Sequence, residues 1–355
     1  MKRIVFFLAF LFTASIALPQ PPPGYYDPAF GLYGTALQGA LHNIIKNHTV
    51  LNYDNLYTYF AVTDIKPNNT VWDMYSDVPG GNSPYTYQYV SADQCGSYSQ
   101  EGDCFNREHS WPKSWFNDAS PMYSDMFHLY PTDGYVNNKR GNLPYGEVSS
   151  SNWTSQNGSK VGNCSWPGYS GQVFEPIDEY KGDFARTYFY MSTRYYTEDG
   201  SWPGSNMTNG AQLKPWARAM MLQWSTQDPV SQKEIDRNNG VFQYQHNRNP
   251  YIDNPQWAFD IWGPGAGINE NEDLTATLQV YPNPSTDYCQ LLLPVADNNL
   301  HVSLVSTTGI SIIPQFETTN FVLKLDVKGL TSGSYILMLS SPETHRTYHA
   351  LLIHR

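Results

Sequence analysis

Basic residues are in short supply in this chain. Its 21 Lys and Arg stand against 32 Asp and Glu, a formal net charge of −11. A protein that coats nucleic acid through bulk electrostatics should be basic, so that class is excluded; an enzyme with a local cationic groove around a divalent metal is not. Charge of either sign is thin, at 15% of residues, which excludes a disordered polyelectrolyte. Cysteine is limited to Cys95, Cys104, Cys164 and Cys289. Neither Cys nor His gathers at zinc-ligand spacing, and no HExxH occurs. Apart from one short run at the start there is no long apolar stretch, so stable membrane insertion is not expected.

Aromatic residues, by contrast, are abundant: 15% of the chain, with 27 Tyr and 10 Trp, beside 25 Pro and 26 Gly. The mixture predicts a loop-rich α+β protein rather than a helical bundle. The rings suit either core packing or nucleobase stacking, and composition does not separate the two.

Lys2 and Arg3 precede an apolar run over residues 4–12, and Ser15-Ile16-Ala17 stands before Leu18. This is the pattern of a secretory signal peptide over residues 1–17. Export permits disulfides. Cys95 and Cys104 bracket a short Gly/Ser loop and are expected to pair, whereas the partners of Cys164 and Cys289 stay open.

Residues 18–264 read as the main domain. Leu37, Ala40, Leu41, Ile44 and Ile45 recur at helical spacing and predict a helix over 35–47. A second helix, over 53–62, is capped by Asn52 or Asp54. Residues 71–75 and 85–90 alternate and predict strands around the Pro79-Gly80-Gly81 turn. Residues 149–171 read as a long surface loop. From Asp183, Phe184, Thr187, Tyr188 and Met191 share a helical face, with Arg186 and Arg194 on a phosphate-binding or merely solvated remainder. Residues 216–224 and 230–239 predict further helices. A Gly and acidic linker over 265–275 leads to short, turn-separated runs over 276–355, the spacing of a small all-β sandwich.

Reactive side chains concentrate in residues 106–142. Glu108 and His109 are adjacent, Asp125 and His128 follow, and then come Asn137, Asn138, Arg140 and Asn142. Hydrolysing a phosphodiester requires a base for water, a cation for the charge that gathers on phosphorus, and a group that holds the phosphate. A neutral imidazole such as His109 suits the first task. Glu108 and an Asn carbonyl such as Asn137 are hard oxygen ligands, a set that favours Mg²⁺, with Mn²⁺ or Ca²⁺ as alternatives. On a regular strand Glu108 and His109 would face opposite ways, so a shared site predicts a twisted strand end or a loop there. Asn137 and Arg140 are three apart on a short helix entered from Thr132 or Asp133. One helical face could therefore present ligand and phosphate clamp together. Basic residues also gather around these segments: Arg107, Lys113, Lys139, Arg140, Arg186, Arg194, Arg237 and Arg248.

Four blocks, NREHSWPKSW, DMFHLYPTDGYVNNKRGN, VFEPIDEYKGDFARTYFYMSTRY and QHNRNPYID, resemble the bacterial secreted endonuclease I family. The resemblance runs from about Gly24 to Trp262. It implies a ββα-metal (His-Me finger) nuclease domain with surrounding helices and nonspecific, Mg²⁺-dependent cleavage of DNA, and often RNA, to 5′-phosphate ends. It makes His109 the general base and Glu108 and Asn137 the metal ligands. Arg140 and Asn142 would position substrate or brace the helix. Asp125 would orient a neighbour, and His128 would brace the core or share in the chemistry. Some relatives carry a glutamate where this chain has Tyr123, so any role of that acid does not transfer.

VYPNPS at residues 280–285, LDVKGLTSGSYIL and the terminal LLIHR resemble the C-terminal sorting domain of type IX secretion substrates. The expectation is a secreted monomer exported by that machinery, with nucleic acid as substrate. Two other readings remain: a non-catalytic surface binding or adhesion module on the same fold, and a phosphodiesterase on small phosphate esters. The intact Glu108, His109 and Asn137 weigh against the first.

Overall fold

The computed structural model describes residues 21–263, 276–278, 280–293, 300–307, 309–319, 322–341 and 346–355. The expected leader (1–17) and linker (265–275) lie outside these residues.

The helix predicted over 35–47 forms as α1 (Gly34–Ile45), burying Leu37, Leu41 and Ile45 at four-residue spacing. Asn52 accepts a hydrogen bond from the Asp54 amide and opens a 3₁₀ turn that runs on into α2 (Leu56–Thr63). Strand β1 (Phe105–His109) pairs antiparallel with β2 (Leu129–Asp133), and α3 (Gly134–Arg140) follows β2 without a loop. This is the ββα unit. Residues 149–171, read above as a loop, instead contain β3 (Val148–Thr154) and β4 (Lys160–Cys164), which with β5 (Gln172–Glu175) make a three-stranded antiparallel sheet. The outward positions of β3 are Ser, Asn and Thr, so its solvated face hid the alternation. In the opposite direction, residues 71–75 and 85–90 form no strand. Val71 and Tyr87 exchange a backbone bond and are buried, but the segments run as irregular chain under an aromatic cluster with Phe105.

Helix α4 (Lys181–Arg194) passes through the centre of the molecule, and every one of its residues is buried. The sequence reading gave it one apolar face and a solvated or phosphate-binding remainder. The remainder is buried as well, because each charge meets its opposite. Arg186 forks onto both carboxylate oxygens of Glu234, with Nη2 donating to Oε2 at 2.8 Å. Lys233 reaches Asp183 at 2.6 Å, and Arg194 donates to His48 Nδ1 and Glu198 Oε1, each at 2.9 Å. Around α4 pack α5 (Pro215–Gln227), α6 (Gln232–Gln245), α7 (Pro250–Asp253) and α8 (Gln256–Trp262). A capping box of Ser231 and Glu234 starts α6, so Glu234 serves the helix end and the Arg186 fork together.

The C-terminal part has a core of its own, which shares no residue with the first. Strands at Tyr288–Leu292, Val322–Asp326 and Phe316–Thr319 form one sheet; those at His301–Ser306, Gly333–Ser341 and Arg346–His354 dominate a second. Leu291, Leu304, Leu323, Leu325, Leu337 and Leu352 fill the space between them. Among the described residues no helix is long and apolar enough to cross a membrane.

Breaking the Arg186 fork tests how far the main core depends on paired charge. Arg186→Met strands Glu234 as a buried carboxylate, and urea denaturation of the full chain is expected to show a loss of about 3–5 kcal/mol. A loss below about 1 kcal/mol would mean that the pair is solvated and not structural.

Candidate active site

Asp133 sits where β2 becomes α3. Its Oδ1 accepts the Val136 amide at 2.7 Å and so caps the helix, while Oδ2 accepts Tyr87 Oη at 2.6 Å and the Gly102 amide at 2.8 Å. The cap fixes where α3 starts, and with it the register of Asn137 and Arg140 against β1.

On the face of β1 turned to α3 stand Asn106 and Glu108. Asn106 Oδ1 accepts Asn137 Nδ2 at 2.7 Å. This spends the amide nitrogen of Asn137 and leaves its carbonyl oxygen without a hydrogen bond among the described residues. Glu108 is buried. Its Oε1 accepts both Tyr75 Oη, at 2.8 Å, and Arg140 Nη1, at 2.9 Å, and Oε2 takes no hydrogen bond among the described residues. Burial raises the Glu108 carboxyl to about 7 against the pull of Arg140 and Tyr75. The face thus offers two oxygens, Glu108 Oε2 and Asn137 Oδ1, each oriented through the other end of its own group. Among the described residues no three His, Cys, Asp or Glu cluster as a metal site. A one-carboxylate, one-amide pair fits Mg²⁺, which keeps most of its waters, better than zinc.

His109 leaves β1 on the opposite face. The twisted end or loop expected at this point is not there: the ladder stays regular to His109–Leu129, and the chain departs only at Ser110, ahead of Pro112. The His109 ring lies among Tyr53, Tyr123, Phe116 and His128, with centroids 5.2 to 6.1 Å away. Its Nε2 is 3.1 Å from the Tyr123 carbonyl, which can only accept, so Nε2 carries the proton and Nδ1 the free lone pair. Burial, with His128, Lys113 and Arg107 nearby, lowers its pKa well below the ordinary value and keeps the ring neutral at pH 7. The backbone carbonyl of Tyr123 therefore sets the tautomer.

Arg140 does not share an outward face with Asn137. Its guanidinium is buried and both terminal nitrogens are engaged, while Nε has no hydrogen-bond partner among the described residues: Nη1 donates to Glu108 Oε1 and the His109 carbonyl, each at 2.9 Å, and Nη2 to the Ser110 carbonyl at 2.5 Å and Tyr188 Oη at 3.2 Å. It cannot touch a phosphate; it ties α3 to the end of β1. The spacing of three placed both residues on one side of α3, but the short helix lies on the ribbon and turns Arg140 under it. Arg186 is likewise removed from any substrate by its Glu234 fork. Asp125 is buried under four donors, Phe127 N, Gln245 Nε2, Tyr190 Oη and Tyr195 Oη, and His128 Nε2 meets the Met122 carbonyl at 2.7 Å. Both brace the chain that leads into β2. Asn142 is exposed just past Gly141, whose φ of +54° ends the helix.

The cationic groove expected from eight basic residues shrinks accordingly. Arg237 binds Asp64 at 2.7 Å and Arg248 forks onto Asp253, so with Arg140, Arg186 and Arg194 they are interior ions. Arg107, Lys113 and Lys139 stay near solvent. Sequence reasoning counted Arg107 only among the groove's basic residues, yet it shares the His109 face, stacks 3.8 Å over Tyr53 and keeps 20% of its side chain exposed. Alternation from His109 is the signal that could have found it. Cys95 and Cys104 are disulfide-bonded, closing the loop before β1, while Cys164 and Cys289 are free and buried.

Asp73, behind this unit, accepts the Asp133 amide at 3.0 Å, and burial with the Asp133 charge raises its carboxyl to about 7. Its folded value lies above the unfolded one, so the stability it contributes is complete below about pH 4 and is lost as pH rises through 7. Asp73→Asn cannot ionise. The melting-temperature gap between this variant and wild type is expected to widen by roughly 5 °C from pH 4.5 to 7.5 and then to level off. A gap that stays constant would place the Asp73 carboxyl in its ordinary range.

Residues 33–256 match the family Endonuclease I, and residues 279–354 match the Secretion system C-terminal sorting domain. An extracellular ribonuclease of Bacillus amyloliquefaciens is 38% identical over 245 residues, 67% of this chain and 78% of its own. One of Bacillus subtilis is 35% identical over 259 residues, 70% of this chain and 83% of its own. An extracellular deoxyribonuclease of Aeromonas hydrophila is 25% identical over 220 residues, 60% of this chain and 84% of its own. The chain therefore belongs to the endonuclease I family, as a secreted nuclease with a type IX sorting domain at its C-terminus.

Proposed function

We propose that this enzyme hydrolyses internal phosphodiester bonds of both RNA and DNA without sequence preference, using Mg²⁺ held by Glu108 and Asn137, with His109 as general base. The observation that carries this reading is the paired commitment at the end of β1. His109 Nε2–H is spent on Tyr123, leaving Nδ1 as acceptor. Asn137 Nδ2 is spent on Asn106, and Glu108 Oε1 on Tyr75 and Arg140, leaving one ligand oxygen on each. The two groups leave β1 on opposite faces. A single phosphate meets both by lying across the edge of β1, which past Phe105 has no strand beside it among the described residues.

His109 Nδ1 takes a proton from water as its oxygen attacks phosphorus, and the bond to the 3′ oxygen breaks. A 5′-phosphate and, after protonation from solvent, a 3′-hydroxyl remain. The ion, when bound, neutralises charge gathering on the phosphate and the leaving oxygen. Arg107, on the His109 face, holds a non-bridging oxygen in the role that Arg140 cannot fill. Water is the nucleophile, so no 2′-hydroxyl is required. Ribonuclease and deoxyribonuclease names among the relatives fit that indifference. The enzyme is read as a monomer that degrades environmental nucleic acid.

The test is cleavage of supercoiled plasmid and of RNA by the mature protein with Mg²⁺ and with EDTA. Wild type is expected to cut both only with metal. His109→Ala should lower the rate about 10² to 10⁴-fold, and Glu108→Ala or Asn137→Ala should raise the Mg²⁺ requirement at least about ten-fold. A folded wild-type protein that cuts neither with Mg²⁺, Mn²⁺ nor Ca²⁺ would sink this reading and bring the surface-binding one forward.

A further inference from the structure

Around the start of α3 stand three aromatic side chains from three separate elements. Tyr98 comes from the loop closed by the Cys95–Cys104 disulfide, Tyr135 from the first turn of α3 and Trp153 from β3. Tyr98 and Tyr135 are 6.4 Å apart at 90°, and Tyr135 and Trp153 are 6.4 Å apart at 58°. None is stacked flat on another, and all three are only partly buried. Lys139, one turn on from Tyr135 and exposed, holds its ammonium 5.1 Å over the Tyr135 ring and 6.0 Å from that of Trp153.

Each ring is deliberately seated. The Tyr98 loop is pinned to the start of α3 by Gly134 N donating to the Cys104 carbonyl, at 2.9 Å, and Gly102 N donating to Asp133. Gly134 makes room for it: a Cβ there would lie 2.7 Å from Tyr98 Cδ1 and 3.2 Å from Asn106 Nδ2. Tyr98 and Asn106, the residue that orients Asn137, thus both border Gly134. A register shift in the β3–β4 ladder falls between Ser151 and Trp153, the kind of bulge that re-aims a side chain.

From this geometry we infer that Tyr98, Tyr135 and Trp153, with Lys139, form a stacking platform for unpaired bases of the strand being cut, next to the phosphate site. The inference rests on the nuclease reading above and deepens it. Charge balance favours the same occupant. Arg140, Arg186, Arg194, Arg237 and Arg248 are buried, as are Lys181 and Lys233, and the net charge is −11. Bulk attraction to phosphate is weak, so affinity for a substrate strand must come from contacts that do not depend on net charge. Base stacking on aromatic rings is such a contact, and it is indifferent to sequence because every base has a π face.

The experiment measures binding of fluorescent single-stranded oligonucleotides to the full mature protein in EDTA. A base-bearing strand is compared with an abasic strand of the same length and charge. Wild type should bind the base-bearing strand about ten-fold or more tightly. Trp153→Ala and Tyr135→Ala should each lose most of that preference while binding the abasic strand as wild type does. Trp153→Phe should keep it. Gly134→Ala, which displaces Tyr98, should weaken it. Equal wild-type affinity for the two strands overturns the platform, with no mutant needed. A folded Trp153→Ala protein with undiminished preference overturns it too. Plasmid cleavage by wild type is scored in parallel: cleavage without base preference removes only the platform, whereas neither cleavage nor binding removes the nuclease reading as well.

Discussion

The guanidinium of Arg140 is the interaction on which the site depends. Taking that cation out of water is costly, and it is offset here because one planar fork finds the Glu108 carboxylate, the His109 and Ser110 carbonyls and the Tyr188 hydroxyl at once. Two of those partners are backbone, so Arg140 fixes where the chain leaves β1 and not merely one side chain. Glu108 is fixed by its Oε1, which is why its other oxygen is aimed. Lysine could not replace it: a single ammonium lacks the reach to join strand, loop and α4.

The same logic extends through the interior. Helix α4 is buried on every side yet is rich in charge, and Glu234, Lys233 and Glu198 are counter-ions to its Arg186, Asp183 and Arg194. An interior built this way is specific, because each ion meets its partners in one place. It is also exacting, because removing either member leaves an uncompensated charge. It takes seven basic residues off the surface as well, and that bears on how such an enzyme finds its substrate. The cations left near β1 are few and local, and the rings around them supply surface that does not repel or need salt-dependent attraction.

The ribbon itself explains how the proposed metal ligands and base can come from neighbouring residues. A two-stranded ribbon with a helix on one face and aromatic side chains on the other buries both Glu108 and His109 while leaving an edge open. Each group is oriented by spending one polar atom: Oε1 of Glu108, Nδ2 of Asn137, Nε2 of His109. What remains on each is the atom the chemistry needs.

Much of this was legible in the residues. The apolar period of Leu37, Leu41 and Ile45 determined α1; Asp133 ahead of an Asn-rich turn determined the start of α3. The Cys95–Cys104 spacing determined the disulfide, and the blocks around Glu108, His109 and Asn137 determined the family. These are local or directly encoded in residue type. The fate of the arginines was not legible, because Arg140 and Arg186 look the same in sequence whether they face a phosphate or a buried carboxylate. Their counter-ions lie 32 and 48 residues away, and only packing decides the pairing. Strand β3 was missed for a related reason: a solvated face carries no apolar period, and its backbone pairing is a tertiary fact. The strands expected at 71–75 and 85–90 failed because alternation there served an aromatic cluster without a ladder. Local chemistry follows from sequence; which charge meets which, and which face meets solvent, follows only from the folded chain.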